Sequence, residues 1–365
     1  MPLTARTMHQ RALLVALVAI AWEGNAVAGQ QQGLTVPAGF HIGVFAQNLS
    51  GVRYLTLGPG GVVYASRPGA GEIVRLPDAN RDGVADTAVT VATGLNRPFG
   101  IAFRGDTMFV AENNAVVHFN PGSANKIVDV PNVPGGTGHW TRTVVFGPDG
   151  KMYVSVGSSC NLCIETDSMR AAVVQFNRDG SAGRVFARGL RNSVGLAINP
   201  TTGELWATNN DRDNLGDDVP PERINVIKDG KYYGWPQCYL PGQRNPEFAE
   251  ADCSAVEPPA ITFQAHSAPL GIAFYTGTAF APDYRGDAFV AYHGSWNRTV
   301  PTGAKVVRVQ VQNGRPVAID DFVTGWQLPD GSRWGRPVSL VMTPDGALLI
   351  SDDMGGKIWR VTYER

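Results

Sequence analysis

One pattern of residues recurs six times along the chain, and it restricts the fold more than any other feature. Its clearest copy has two β-type runs, Thr143–Phe146 and Met152–Val156, joined by Gly147, Pro148, Asp149 and Gly150. Proline presets φ and the final glycine can take positive φ, so the segment reads as a β-hairpin. Further copies occupy Tyr54–Ser66, Phe99–Glu112, Val194–Asn209, Leu270–His293 and Val338–Asp352. The large residues that mark the second strands are Tyr64, Phe109, Tyr153, Trp206, Phe289 and Leu349, spaced by 45, 44, 53, 83 and 60 residues. The first two intervals have the length of one four-stranded propeller blade, and the longer ones are a blade plus an insertion. Third strands follow at Glu72–Leu76, Ala115–Phe119, Ala172–Phe176, Arg223–Ile227, Lys305–Val309 and Lys357–Val361. Six such units predict an all-β fold, a six-bladed β-propeller closed on itself; a β-sandwich would not repeat one hairpin six times.

The first residues follow a different logic. Arg6 and Arg11 flank an apolar run, Ala12–Trp22, and Ala26, Val27 and Ala28 give the small-x-small pattern of a signal peptidase site. The run is shorter than the roughly 20 apolar residues a bilayer span needs. Residues 1–28 therefore read as a signal peptide, residues 29–365 as a single propeller domain, and the protein as periplasmic or secreted. The formal net charge of −1 and the absence of a basic stripe argue against nucleic acid, and no segment suggests membrane insertion. Four cysteines fit an oxidising compartment, and Cys160 with Cys163 and Cys238 with Cys253 are the simplest of three pairings.

Propeller geometry turns the repeats into a site. The segment entering each innermost strand and the loop after each second strand lie at one mouth of the central channel. Ahead of the six innermost strands stand Arg53, Arg97, His139, Arg191 with Asn192, His266 with Ser267, and Arg336. A lone arginine would be a surface residue, but cations gathered on one pocket repel one another unless an anion sits there. The ring predicts a site for a compact polyanion held by arginine forks that suit carboxylates. His139 is the candidate base, and the surrounding charges would keep its imidazole neutral.

Two acidic loops suggest calcium. Asp78, Asn80, Asp82 and Asp86 place oxygen ligands along a loop with Gly83 at the sixth position, but the closing Glu of a full calcium loop is missing. A plain Asx-rich turn is the alternative. Asp211, Asp213, Asp217 and Asp218 follow the second strand of the fourth repeat, so they hang over the mouth, where a cation and a carboxylate-bearing ligand could be shared.

Long stretches resemble the soluble quinoprotein sugar dehydrogenases. They are Gly138–Arg142, Phe146–Gly157, Gly189–Asn192, Gly203–Thr208 and Asn225–Pro236. His266–Phe274, Tyr284–Asp287, His293–Arg298, Lys305–Arg308 and Trp334–Val338 are most similar to the sorbosone dehydrogenase branch. The resemblance implies pyrroloquinoline quinone (PQQ) and calcium at the channel mouth, a planar tricarboxylate that agrees with the polyanion pocket. It implies that His139 takes the proton from a sugar hydroxyl while hydride passes to the quinone, and that Arg191 lies over the reacting carbonyl. Arg53, Arg97, Arg142, Asn192, His266, Trp296, Arg298, Lys305, Arg336 and Asp352 are the expected cofactor contacts. Two departures matter: Trp140, Thr141 and Arg142 replace a Gly-rich segment, and the Asp211–Asp218 loop replaces a short Gly-Pro turn.

The expected activity is oxidation of an aldose or an aldehyde such as a keto-aldose, with electrons leaving to a quinone or cytochrome acceptor. A calcium-dependent lactonase would instead need a ring of Glu, Asp and Asn around a metal, which the arginine ring opposes. A non-catalytic binding module is the third reading.

Overall fold

The glycine before each Ile-Ala or Leu-Ala pair explains how six hairpins fit around one axis. In the computed structural model, which describes residues 30–31 and 33–364, a Cβ at Gly100 would lie 2.7 Å from Thr143 Cα on the next innermost strand. A Cβ at Gly271 would lie 2.7 Å from Ser339 Cα. At the centre of a propeller neighbouring backbones touch, and only hydrogen fits between them. Hydroxyls on first and second strands bridge the blades: Thr143 Oγ1 donates to Val194 O at 2.6 Å and Thr208 Oγ1 to Leu270 O at 2.8 Å.

The described residues form six four-stranded antiparallel sheets, each ordered from the axis outward. The blades begin with Leu55–Leu57, Ile101–Arg104, Arg142–Phe146, Leu196–Ile198, Pro269–Phe274 and Pro337–Met342. Second and third strands lie where the repeat places them, for example Met152–Val156 and Ala172–Phe176 in the third blade. The sixth blade takes its outermost strand, Phe40–Ala46, from the start of the described chain, paired with Lys357–Tyr363. Leu55 N–H donates to Ser339 Oγ and Ser351 Oγ donates to Arg53 O, closing the ring between first and last blades.

Between adjacent blades the large residues of the second and third strands interdigitate. The fifth and sixth blades enclose the largest cluster, in which Phe40, Phe280, Phe289, Phe322, Trp326 and Trp359 are almost fully buried. The long interval after the fourth repeat is an excursion carrying a ribbon, Cys238–Leu240 with Gln243–Arg244, tied by Cys238–Cys253. Cys160–Cys163 is the second disulfide, with Cα atoms 6.2 Å apart. The expected leader lies outside the described residues, and among these no helix is long and apolar enough to cross a membrane.

Candidate active site at the channel mouth

His139 sits just ahead of the third innermost strand, and its position follows from Gly157, the residue after the partner strand. A Cβ at Gly157 would strike the His139 ring's own Cβ at 2.5 Å and Asn192 Oδ1 at 2.9 Å. The imidazole Nδ1 lies 2.9 Å from Ser158 Oγ and 3.1 Å from Ser158 O. Ser158 Oγ donates its only proton to Cys160 O at 2.6 Å, so it must accept from His139. Nδ1 therefore carries the proton and Nε2 offers a lone pair. Burial, then the Arg191 charge, lowers His139 to about pKa 3 against the Ser158 hydrogen bond, with Arg142 and Arg170 adding to the depression. At neutral pH the ring is an uncharged base.

His139, Arg191, Asn192, His266 and Trp296 line one cavity of about 190 Å³, together with Asn210, Asp211, Asp213, Glu222 and Asn297. Arg191 is buried and all five of its N–H groups are engaged. Nε donates to Asn161 O at 3.0 Å, NH1 to Asp211 O at 2.5 Å and Asn210 O at 3.4 Å, and NH2 to Asn161 Oδ1 at 2.9 Å and Asp213 Oδ2 at 2.8 Å. It can offer the cavity a fixed plane and a charge but no free donor. Burial raises Glu222 to about pKa 8, despite the hydrogen bond from Asp211 N–H.

A second group of cations lies around Trp140. Arg97 stacks 4.2 Å from its ring centroid and Arg53 5.6 Å, and Arg53 pairs with Asp353 at 2.5 Å. Arg336 Nε is 3.4 Å from Asp353 Oδ1, in ion-pair range without hydrogen-bond geometry. Burial lowers Arg53, Asp353 opposes this, and Arg336 and Arg97 add repulsion. Burial would raise Asp353, but the His293 hydrogen bond and the Arg53 and Arg336 charges hold it below the usual carboxylate range. Burial holds His293 near pKa 4, neutral at pH 7. Arg53 and Arg336 thus share one carboxylate with Arg97 near enough to repel Arg53, and Arg53 Nε and Arg336 Nε are buried without a hydrogen-bond partner. Arg97 and His266 also hold left-handed backbone, φ 48° and 64°, a conformation costly for such residues.

Several expected contacts go elsewhere. Arg142 turns into the protein and clamps the loop carrying the base, with NH1 on His139 O and Thr141 O and NH2 on Pro134 O. Asp352 is fully buried, receives Trp326 and Trp359 Nε1–H, and holds the Arg336 and Gly355 amides. Lys305 pairs across the strand with Asp321 at 2.5 Å. Arg298 folds onto the Asp217 carbonyl and the Asp218 carboxylate.

The four loop carboxylates do not converge on one point. Asp211 Oδ2 lies 2.7 Å from Arg223, Asp213 pairs with Arg191, and Asp217 accepts from Thr299 N–H. In the first-blade loop, Asp78 caps the Asp82 and Gly83 amides, Asp82 also accepts from Asn80, and Asp86 accepts from Ala79 N–H, an Asx-rich turn that closes on itself. Ser158, His293, Asn297 and Asp353 belong to loops after second strands that the sequence already places at the mouth. Asn161 is the site residue that sequence reasoning passed over, although it sits in the same kind of loop.

Fold and site together define a six-bladed propeller whose mouth carries a neutral histidine and a cluster of arginines that outnumber their carboxylate partner. The sequence pattern of the glucose/sorbosone dehydrogenase family matches residues 123–360, and the chain belongs to that family. Among relatives, an uncharacterized protein of Borreliella burgdorferi is 35% identical over 226 residues, covering 60% of this chain and 59% of that protein. A pyrroloquinoline quinone-dependent sugar dehydrogenase of Hypocrea jecorina is 28% identical over 350 residues, covering 77% of this chain and 76% of its own length. Among solved structures, the holo form of the pyranose dehydrogenase PQQ domain of Coprinopsis cinerea superposes with TM-score 0.79 at 24% identity, covering 92% of this chain and 98% of that one. The aligned part thus spans about three-fifths of the Borreliella protein and three-quarters of the Hypocrea one.

Proposed function

We propose that residues 29–365 form one PQQ- and calcium-dependent dehydrogenase unit, exported behind the leader at 1–28, that oxidises an aldose or a keto-aldose of the sorbosone kind. The observation that carries this reading is the paired arrangement of a neutral base and an unbalanced cation cluster. Two disulfides suit an oxidising compartment.

The residues present fit a tricarboxylate. Arg53, Arg97 and Arg336 exceed their single counter-ion, and the unpartnered Nε groups of Arg53 and Arg336 are donors lacking an acceptor. These three would hold the carboxylates of PQQ, with Trp296 as an exposed apolar platform for cofactor or sugar ring. A calcium site made of four aspartate side chains does not fit, because each of those carboxylates already has a partner. The oxygens that fit are the carbonyls of Asn210 and Asp211, each with a lone pair left beyond its bond to Arg191. When bound, PQQ supplies a two-electron hydride acceptor and calcium a Lewis acid that polarises it.

This chain's own residues then do the rest. His139 Nε2 accepts the proton of the sugar hydroxyl, and Ser158 holds Nδ1–H so that the lone pair stays on the cavity side. Arg191 keeps its charge beside the reacting centre because its donors are all tied. Asn192 and Asn297 offer amides to sugar hydroxyls, and the narrow cavity limits water.

The test is dye-linked oxidation of glucose and sorbosone by the mature protein, with PQQ and calcium added together or singly. Turnover that needs both supports the reading, and His139→Gln should abolish it while cofactor binding persists. No turnover, with no change in the quinone's absorption on mixing, rejects it in favour of a hydrolase or a binding module.

A further inference from the structure

The Cys160–Cys163 loop meets the site in two places that the reaction outlined above leaves unexplained. Cys160 O takes the Ser158 proton, which is why Ser158 accepts from His139. One residue on, Asn161 makes five hydrogen bonds into the site. Its carbonyl accepts from Arg191 Nε at 3.0 Å and Trp235 Nε1 at 3.1 Å. Its Oδ1 accepts from Arg191 NH2 at 2.9 Å and Asp213 N–H at 2.8 Å, and its Nδ2 donates to Asp213 O at 3.1 Å. The carbonyl and amide oxygen thus receive one edge of the Arg191 guanidinium as a two-pronged acceptor, a geometry that fixes the plane as well as the position. Glu165 anchors the loop's far side through Ser159 N–H at 2.5 Å and Ser159 Oγ at 2.8 Å.

We propose that Asn161, clamped in the Cys160–Cys163 loop, is the positioning residue that orients Arg191 against the base, and that the disulfide holds base and arginine to one frame. The inference rests on the function proposed above, but its structural half does not. A three-residue step between the cysteines leaves the loop almost no freedom, so Cys160 O and Asn161 O keep a fixed separation. Any rotation of the Arg191 plane must break a bond to Asn161. His139 faces Arg191, Arg142 and Arg170 on one side and Asp211, Asp213, Glu222 and His266 across the cavity. Of these, Asn161 holds Arg191 through two bonds to its guanidinium and Asp213 through two bonds to its backbone, so it fixes the Arg191–Asp213 pair as a unit.

Asn161→Ala tests this with the disulfide intact. Turnover should fall ten- to a hundredfold, as for a lost hydrogen bond to a charged group, with KM changed less than about threefold because the carboxylate cradle is untouched. In the apo protein, NMR of the His139 imidazole should show no titration above pH 4 in the parent chain and a pKa raised by about one unit or more in the variant. Cys160→Ser with Cys163→Ser frees both carbonyls and should give a larger change in both readouts. A merely structural role would lower the melting temperature and leave the His139 titration in place, which would overturn the proposal, as would unchanged turnover and titration. If the double variant fails to fold, Asn161→Ala decides alone. If the parent has no dehydrogenase activity, the apo titration still decides the positioning.

Discussion

Ser158→Asp is the substitution with the most to say about the base. Ser158 is fully buried, its Oγ 2.9 Å from His139 Nδ1. A carboxylate in its place keeps an acceptor for the Nδ1 proton but adds a negative charge about 4 Å from the ring. At an effective dielectric of about 20 that charge favours imidazolium by about 4 kcal/mol, equivalent to roughly three pKa units. Arg142 and Arg170, already acting on His139, screen part of it, so a rise of about two units or more from a value of about 3 is expected. A general base works only when neutral, so activity is lost as pH falls through its pKa. The parent enzyme should show a flat kcat/KM between pH 5 and 8 on its acidic side, and the variant an acidic limb near pH 5 to 6, with activity at pH 7.5 largely kept. The assay is the pH dependence of dye-linked kcat/KM, with ferric or phenazine acceptors checked for pH effects of their own. An unmoved acidic limb would refute the claim that His139 is the base and Ser158 its partner.

Other expectations follow from the same structure. Arg336→Gln removes one of three cations from the cradle and should weaken PQQ binding about tenfold or more, measured by fluorescence titration, with less salt dependence than the parent. Gly271→Ala places a methyl group against Ser339 backbone that cannot yield, and chemical denaturation should show a loss of at least about 1–3 kcal/mol. Replacing Cys238 and Cys253 by serine opens a 15-residue loop and should cost about 3 kcal/mol of stability, read by chemical denaturation. Acidification should destabilise the apo protein: His139 and His293 have folded pKa values of about 3 and 4, below the unfolded value, so the unfolded chain takes up more protons below pH 6.5 and stability falls as pH drops toward those values. His139→Gln should flatten that dependence.

The repeat was legible because blade geometry imposes it on sequence. A hairpin needs its turn residues, which recur at blade intervals, and innermost strands pressed on their neighbours need glycine at Gly100, Gly195 and Gly271. The mouth was legible in outline for the same reason, since every blade delivers its entering segment to one place. Side-chain direction was not legible. Arg142 opens its strand three residues after His139, the ring member of that blade, with its side chain turned inward, where three carbonyls accept from NH1 and NH2. Asp352 and Asp353 are adjacent, and strand alternation sends the first to two indoles and the second to the arginines. The acidic loop after the fourth repeat suggested a shared cation, yet partners from Arg223, Arg191 and Arg298, distant in sequence, claim its carboxylates one by one. Pairings of that range leave no local periodicity to read.

The outermost strand of the last blade is Phe40–Ala46, hydrogen-bonded to Lys357–Tyr363. During synthesis this strand is made first and can find its neighbour only when the final blade has been completed. Until then it offers an open edge with Phe40 and Phe45 uncovered, a template for pairing with other chains. The ring thus behaves as a clasp whose two halves lie at opposite ends of the propeller's own sequence. A premature stop between Val323 and Pro337 would release a polypeptide with five sheets assembled and two sticky borders, prone to aggregate or to be degraded, whereas internal loop insertions such as the one tied by Cys238–Cys253 leave the clasp free to shut.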